Sequence, residues 1–409
     1  MTQRLIMVIA GTYWQIPILK KIRQMGHRSL VVNLYEDSPA FAYADYHEVG
    51  DILDKENCLA IAKKYAVDAV LSEECDIAMP TVAYIAEQLH LPALSRDMAE
   101  LYTNKYRMRT FGEEHHLATP RYRMCHSVDE VRQFAAQLGK PVIIKPLDAN
   151  SSRGVFVVDK DTPQLETLFE EALSYSKIEK AVLAEQYING TEFTVDGIVL
   201  PDGHHSLAIS EKKHYAHNRN IAYELFFSHY NERFDYDLLR ATNDRFVNLS
   251  GLTAGCLTHA EYKYEDGVFY LIEIAARGGG NLISSHIVPI MSGVDNYRCL
   301  LNTCTGAADD TVVPTEGINR ERCAVLYFFD TPGRGGVVSR IEGEDFLKSS
   351  DNVIAYKLNF AVGDRIEKAA NDSKRIGFYV AYAESRDRLL SLMETINQKI
   401  KISYEEENH

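Results

Sequence analysis

Two glutamates on either side of a tight turn are the residues whose chemistry is easiest to name. The stretch 261–280 reads EYKYEDGVFYLIEIAARGGG. An alternating run ends at Asp266-Gly267, a pair favoured in two-residue hairpin turns, and a second apolar run returns. The hairpin sets Glu261 and Glu273 opposite each other across the ladder. Paired carboxylates repel unless a cation lies between them. Hard oxygen ligands in twos, with Arg277 close behind, suit Mg²⁺ bridged to phosphate. A hairpin carrying two solvated glutamates is the other reading that this segment alone supports.

Anion-binding chemistry is legible upstream. KPVIIKP (140–146) is a short buried strand, and a lysine near its end, Lys145, needs an anionic partner there. The loop after it, with Ser151, Ser152, Arg153 and Gly154, is small and polar; such loops wrap phosphates with backbone N–H groups, and hairpins share the composition. Residues 181–199 read as two strands around a bend at Asn189-Gly190, flanked by Glu185 and Glu192. The bend's backbone could pair with an adenine edge, or the acids could be plain strand-end charges. Lys105, Arg107 and Arg109 open a helix and read as a solvated basic face. His214 and His217 lie three apart with no third metal ligand nearby, and His204-His205 reads as surface.

The elements that must position these residues follow from the apolar pattern. LIMVIAG, HRSLVVNLY and DAVLSE alternate with helical stretches over the first hundred residues, the signature of a parallel doubly wound sheet. A dinucleotide site does not fit, because Gly11-Thr-Tyr-Trp-Gln15 lacks the later glycines through which a pyrophosphate approaches. That turn could hold a substrate carboxylate or phosphate beside Trp14 and Gln15, or serve simply as a helix cap. Beyond residue 311, AVLYFFD and RIGFYVAYA are strands. Ser385 then caps a helix with Leu389, Leu392, Met393, Ile396 and Ile400 inward, giving an antiparallel α+β unit.

A formal charge of −14 over 409 residues argues against a nucleic-acid partner, which would call for a basic surplus. Seven scattered cysteines without a C-x-x-C pair suggest neither a zinc site nor a disulfide framework. No stretch reaches ~18 consecutive apolar residues, so the expectation is a cytoplasmic protein without a membrane partner.

Read in chain order, Lys105, Lys145-Pro146, the Ser-Ser-Arg-Gly loop, Glu185-Gln-Tyr-Ile-Asn-Gly-Thr-Glu192, Glu261, Glu273 and Arg277 resemble the ATP-grasp superfamily. The tail, with its Val-Gly-Asp pattern, is similar to the C-terminal domain of bacterial L-amino acid ligases. The resemblance implies a Rossmann-like domain over 1–100, an ATP-grasp domain over 101–310 with a lid at about 115–190, and an α+β domain over 311–409. It implies ATP with Mg²⁺, or Mn²⁺, as cofactors, small-molecule carboxylate and amine substrates, and a homodimer. Lys105 and Lys145 would hold phosphates, with Ser151, Ser152 and Gly154 closing over the γ-phosphate. Glu185, Gln186, Tyr187 and Ile188 would form the adenine hinge and Glu192 would bind ribose. Glu261 and Glu273 would hold metal, Arg277 with Lys145 would be catalytic, and Lys213, Gly279, Ser284, Ser285 and His286 would border the substrates.

The implied reaction is amide formation through an acyl phosphate. Other ATP-grasp chemistries, biotin-carboxylase-like or purine-pathway, are the alternatives, as is a nucleotide-binding regulator without turnover. One position departs from the family pattern: Glu273-Ile-Ala275-Ala-Arg277 has alanine where an asparagine normally supplies a metal oxygen.

Overall fold

The computed structural model describes residues 2–147, 154–176 and 180–405. Its N-terminal part is a four-stranded parallel sheet built from Leu5–Ile9, Arg28–Asn33, Tyr46–Val49 and Ala69–Leu71. The first strand lies between the second and fourth, and the third is an added edge strand absent from the sequence reading. Every residue of Leu5–Ile9 is buried, as expected of a strand covered on both faces.

Residues 191–275 supply five strands of an eight-stranded antiparallel sheet, which begins at one edge with Val268–Ala275, Leu257–Glu265 and Thr191–Leu200. The sheet runs on through Gly203–Tyr215 and Asn218–Phe227 to Cys323–Phe328, Gly377–Ala383 and Val353–Leu358. It therefore crosses the expected boundary at 311 without a break. Three short strands and the helix Arg386–Lys399 complete the C-terminal end.

A smaller antiparallel sheet stands apart in the order Tyr122–Cys125, Val182–Gln186, Val142–Pro146, Phe156–Val158. It carries helices Val128–Leu138 and Leu165–Tyr175 and has an apolar core of its own. By contrast, the parallel sheet shares one core with the large sheet, where Met7 and Val70 belong to the same cluster as Phe193, Tyr262 and Ile274. The main body is one packed unit, and the small sheet forms a lobe with its own core.

The hairpin forms as read, with a register that plain counting misses. From the closing pair Glu265–Val268, unbroken pairing would match Glu261 with Ile272. A β-bulge after Glu261 leaves Ile272 unpaired and brings Glu261 opposite Glu273. The Ile272 carbonyl freed by the bulge accepts a hydrogen bond from Arg109.

Candidate active site

Cross-strand rows on the large sheet organise the site. Thr194, Glu261 and Glu273 make one row, and Asp196, His259 and Ala275 make the next. Arg277 follows two residues on. Glu261, Glu273, His259, Ala275 and Arg277 all line a cavity of about 650 Å³, whose other walls bring Glu74 and Asp76 from the N-terminal part and Phe328, Arg375 and Phe378 from the C-terminal part.

Lysines sit against both carboxylates. Lys105, first residue of helix Lys105–Glu114, donates to Glu273 Oε1 at 2.9 Å. Lys212 donates to Glu261 Oε1 at 2.6 Å and to Glu192 Oε1 at 2.7 Å. Burial pushes the Glu273 pKa up, but Lys105 outweighs it and the carboxyl titrates below its ordinary range. The same contest, won by Lys212, lowers Glu261 and Glu192, the latter with help from His214 at 3.3 Å. Both hairpin carboxylates are thus ionised at neutral pH, as oxygen ligands must be. Among the described residues no group of three or more His, Cys, Asp or Glu gathers as a metal centre. Two facing carboxylates in a polar cavity still fit Mg²⁺, which takes one or two carboxylates together with substrate phosphates.

Deeper in, where the lobe meets the body, Glu185 lies between two cations. Lys145 Nζ is 2.6 Å from its Oε2 and Arg109 Nε 2.8 Å from its Oε1, all three side chains being buried. Burial dominates at Lys145 and, with the help of Arg109 and Lys105 against Glu185, brings its pKa down to about 8. Beside the triad, the Gln186 and Tyr187 N–H groups donate to Arg121 and Pro141 carbonyls and that of Asn189 to Glu265. The intervening Ile188 N–H has no protein partner among the described residues. The bend after it requires glycine, since a Cβ on Gly190 would lie 1.7 Å from the Tyr264 carbonyl oxygen.

Arg277 is oriented by the N-terminal part. Its Nε and Nη2 each reach an Asp76 oxygen at 2.7 Å, and Nη1 donates to the Gly278 carbonyl at 2.7 Å. Glu73 and Glu74 stand beside it at the end of the fourth parallel strand. The Tyr297 hydroxyl donates to Glu73 at 2.6 Å, and one oxygen of each glutamate is buried without a partner. Burial drives both pKa values up, Glu73 to about 8, and Glu73 in turn raises Glu74 further. Glu74, which lines the cavity, is therefore held neutral near pH 7, and an ammonium group placed beside it would favour its charged form.

A family model for the ATP-grasp domain matches residues 138–286. The chain carries an ATP-grasp domain. After it, residues 328–405 match a model for L-amino acid ligase C-terminal domain 2. Dapdiamide A synthase of Enterobacter agglomerans is 25% identical over 381 residues, 89% of this chain and 86% of that one. An L-amino acid ligase structure from Bacillus licheniformis superposes with TM-score 0.79 at 21% identity, covering 99% of this chain and 100% of that one. The biotin carboxylase domain dimer of Hydrogenobacter thermophilus 2-oxoglutarate carboxylase, solved with MgADP and bicarbonate, gives 0.77 at 14% identity, covering 98% and 91%. At these identities the structural likeness establishes the fold: a parallel N-terminal domain, an ATP-grasp fold with a lobe, and a C-terminal α+β unit.

The fold brings Glu192, Glu261, Glu273 and Arg277 to one cavity, sets Lys105 against Glu273, and keeps Lys145 and Glu185 within electrostatic reach of Lys105. Gly154 adopts φ +68°, and Ser151, Ser152 and Arg153 lie outside the described residues. Other readings need correction. Arg109 does not belong to a solvated face; it is fully buried in the Glu185 triad. Lys213 points away from the cavity, because strand alternation sends it to Glu224 at 2.7 Å and turns Lys212 inward instead.

The expected substrate border also moves. The Gly279 N–H is spent on Asp196 at 3.0 Å, Ser284 is buried, and Ser285 bonds its neighbour His286 at 2.7 Å. Gly280, Asn281 and Ile283 line the cavity in their place. His214 faces Glu192 while His217 bonds the Ala369 carbonyl, so the two histidines form no metal pair. His204 is buried between Asp244 and Thr258 rather than on the surface. Trp14 lines the cavity, whereas Gln15 closes a capping box with Thr12.

Sequence reasoning missed Lys212, Glu74, Asp76 and His259. The alternation that gave the hairpin also runs through Gly203–Tyr215 and could have found Lys212. His259 sits two residues before Glu261 and hence on the same face, with Nδ1 2.9 Å from Asp196. It stands across from Ala275.

Proposed function

We propose that this chain is an ATP-dependent carboxylate–amine ligase that forms an amide or peptide bond and releases ADP and phosphate. The observation that carries the reading is the Glu261–Glu273 pair, flanked by Lys105, Lys212 and Arg277 in a cavity walled by all three parts of the chain.

Lys105 and Lys145 would hold nucleotide phosphates, the open Ile188 N–H would meet the adenine edge, and Glu192 the ribose. Glu261 and Glu273 would hold Mg²⁺, with Mn²⁺ as a substitute. When bound, the metal neutralises charge on the phosphate oxygens during transfer. Arg277, fixed by Asp76, presents its remaining N–H groups to the carboxylate as it receives the γ-phosphate. Glu74 offers its unpaired oxygen to an ammonium, favouring an amino acid as the carboxylate substrate. An amine nitrogen then attacks the acyl carbon, the carbon–oxygen bond to phosphate breaks, and phosphate leaves with the electron pair. No protein nucleophile is required, since positioning and charge stabilisation carry phosphoryl transfer.

Ala275 favours a second reading, in which the fold binds nucleotide for regulation and does not turn over. Seven free cysteines accord with a reducing, cytoplasmic location, and no described helix is long and apolar enough to cross a membrane. A homodimer belongs to the same proposal and is checked by sedimentation.

One assay separates the readings. The protein is incubated with ATP, Mg²⁺ and a panel of amino acids, and both ADP and new product masses are followed. ADP that appears only with a carboxylate and amine pair, with a condensed product, supports the ligase. Nucleotide binding without turnover across the panel supports the regulator, and bicarbonate-dependent ADP supports a carboxylase.

A further inference from the structure

The cavity holds a second arginine, contributed by the C-terminal unit. Arg375 follows the single turn Asp372–Lys374 and lies over Phe328, its guanidinium carbon 3.8 Å from the ring centroid. Its Nη2 donates to the Ala222 carbonyl at 2.7 Å and forms an ion pair with Asp372 Oδ1, also at 2.7 Å. Nε is buried without a partner, and Nη1 has no protein partner among the described residues. The two cavity arginines therefore differ. Arg277 has all three nitrogens engaged, and Arg375 only one.

The wall around Arg375 is tied to the body. The Tyr215 hydroxyl donates to the Phe328 and Phe329 carbonyls at 3.2 and 3.1 Å, and His217 meets the Ala369 carbonyl at 3.2 Å. Asn359 and Ser373 line the same side. A guanidinium held by an ion pair, a carbonyl and an aromatic face, with donors to spare, is pre-organised for a planar anion. In the ligase reading the reacting carboxylate belongs to Arg277, which leaves Arg375, in the same cavity and within electrostatic reach of Glu261, for a second anionic group.

We propose that Arg375 seats the carboxylate of the amine-bearing substrate, which makes the acceptor an amino acid rather than a plain amine. The inference rests on the ligase reading above. It assigns acceptor selection to the C-terminal unit.

Hydroxylamine supplies the test, since it is an amine with no carboxylate. Its nitrogen attacks the acyl phosphate, the carbon–oxygen bond to phosphate breaks, and a hydroxamate and phosphate result. The readout is the ratio of kcat/KM for the best amino-acid acceptor to kcat/KM for hydroxylamine. Arg375→Gln is expected to lower that ratio about 10- to 100-fold, through KM for the acceptor, the scale of losing one charge-assisted contact. Arg375→Lys, which keeps the charge, is expected to fall in between. An unchanged ratio, or a KM change confined to the carboxylate substrate, overturns the proposal.

The unaltered protein gives a second measurement that needs no variant. Acceptor amino acids are compared with their α-carboxamides, and equal use of the two also overturns the assignment. Failure of the underlying reading looks different: no carboxylate then yields hydroxamate even with the unaltered protein.

Discussion

Arg109 donates to the Ile272 carbonyl at the bulge that brings Glu261 opposite Glu273, while its Nε lies 2.8 Å from Glu185 in the lobe. One fully buried side chain thus joins the Glu261–Glu273 hairpin to the small lobe. Arg109→Ala leaves the Ile272 carbonyl unpaired and Glu185 with Lys145 alone. Breaking a buried pair in this way should cost about 3–5 kcal/mol. Urea denaturation checks the figure, and a loss below ~1 kcal/mol would show that the bulge needs no support from Arg109.

Glu273→Ala removes one of the facing carboxylates and the partner of Lys105. Turnover should fall by about 10²- to 10³-fold, the scale of losing a group that stabilises charge in the transition state. Calorimetry should show MgADP binding weakened far more than binding of ADP in EDTA. Equal weakening of the two would refute the metal assignment.

Lys145 predicts a pH signature. Burial and its cationic neighbours place its pKa at about 8 in the folded chain, below the ordinary lysine value of 10.5. Between these values the unfolded chain holds more protons than the folded one, so the stability contribution of Lys145 rises with pH across that window. Polyphosphate favours the charged amine, so nucleotide binding near pH 8.5 should draw in roughly half a proton or more. Calorimetry in buffers of different ionisation enthalpy measures this uptake, and Lys145→Gln should abolish it. Uptake that persists in the variant would assign it elsewhere.

Glu73 runs the other way. Burial, opposed by the Tyr297 hydroxyl and Arg277, raises its pKa to about 8 from an ordinary 4.5. The folded chain then holds the extra proton between those values, and stability is lost as pH climbs through them. Glu73→Gln removes the titration. Its stability relative to the parent should therefore improve from pH 5 to pH 8, by roughly 3 kcal/mol. A difference that does not vary with pH would contradict this.

The sequence carried those parts of the molecule whose signals are local. Strand–helix alternation gave the N-terminal sheet, and Asp266-Gly267 gave the hairpin, because period and turn chemistry are written in neighbouring residues. The ordered lysines and glutamates gave a set of charged residues that the fold brings close together. Long-range pairings were not legible. Nothing near Ile272 announces a bulge, whose stabilising partner Arg109 lies 163 residues away. Asp76 and Arg277 are 201 residues apart. Lys213 was preferred to Lys212 because the strand's facing could not be fixed without its neighbours. Arg375 escaped notice since only the unbroken eight-stranded sheet brings its turn to the cavity.

The central claim is that a substrate carboxylate takes the γ-phosphate before the amine arrives, and oxygen-isotope transfer tests it most directly. An amino acid carrying ¹⁸O in its carboxylate is supplied with ATP, Mg²⁺ and an acceptor, and the released phosphate is analysed by mass. The acyl-phosphate route predicts one ¹⁸O atom in each phosphate formed with product. Product formation with unlabelled phosphate would contradict it.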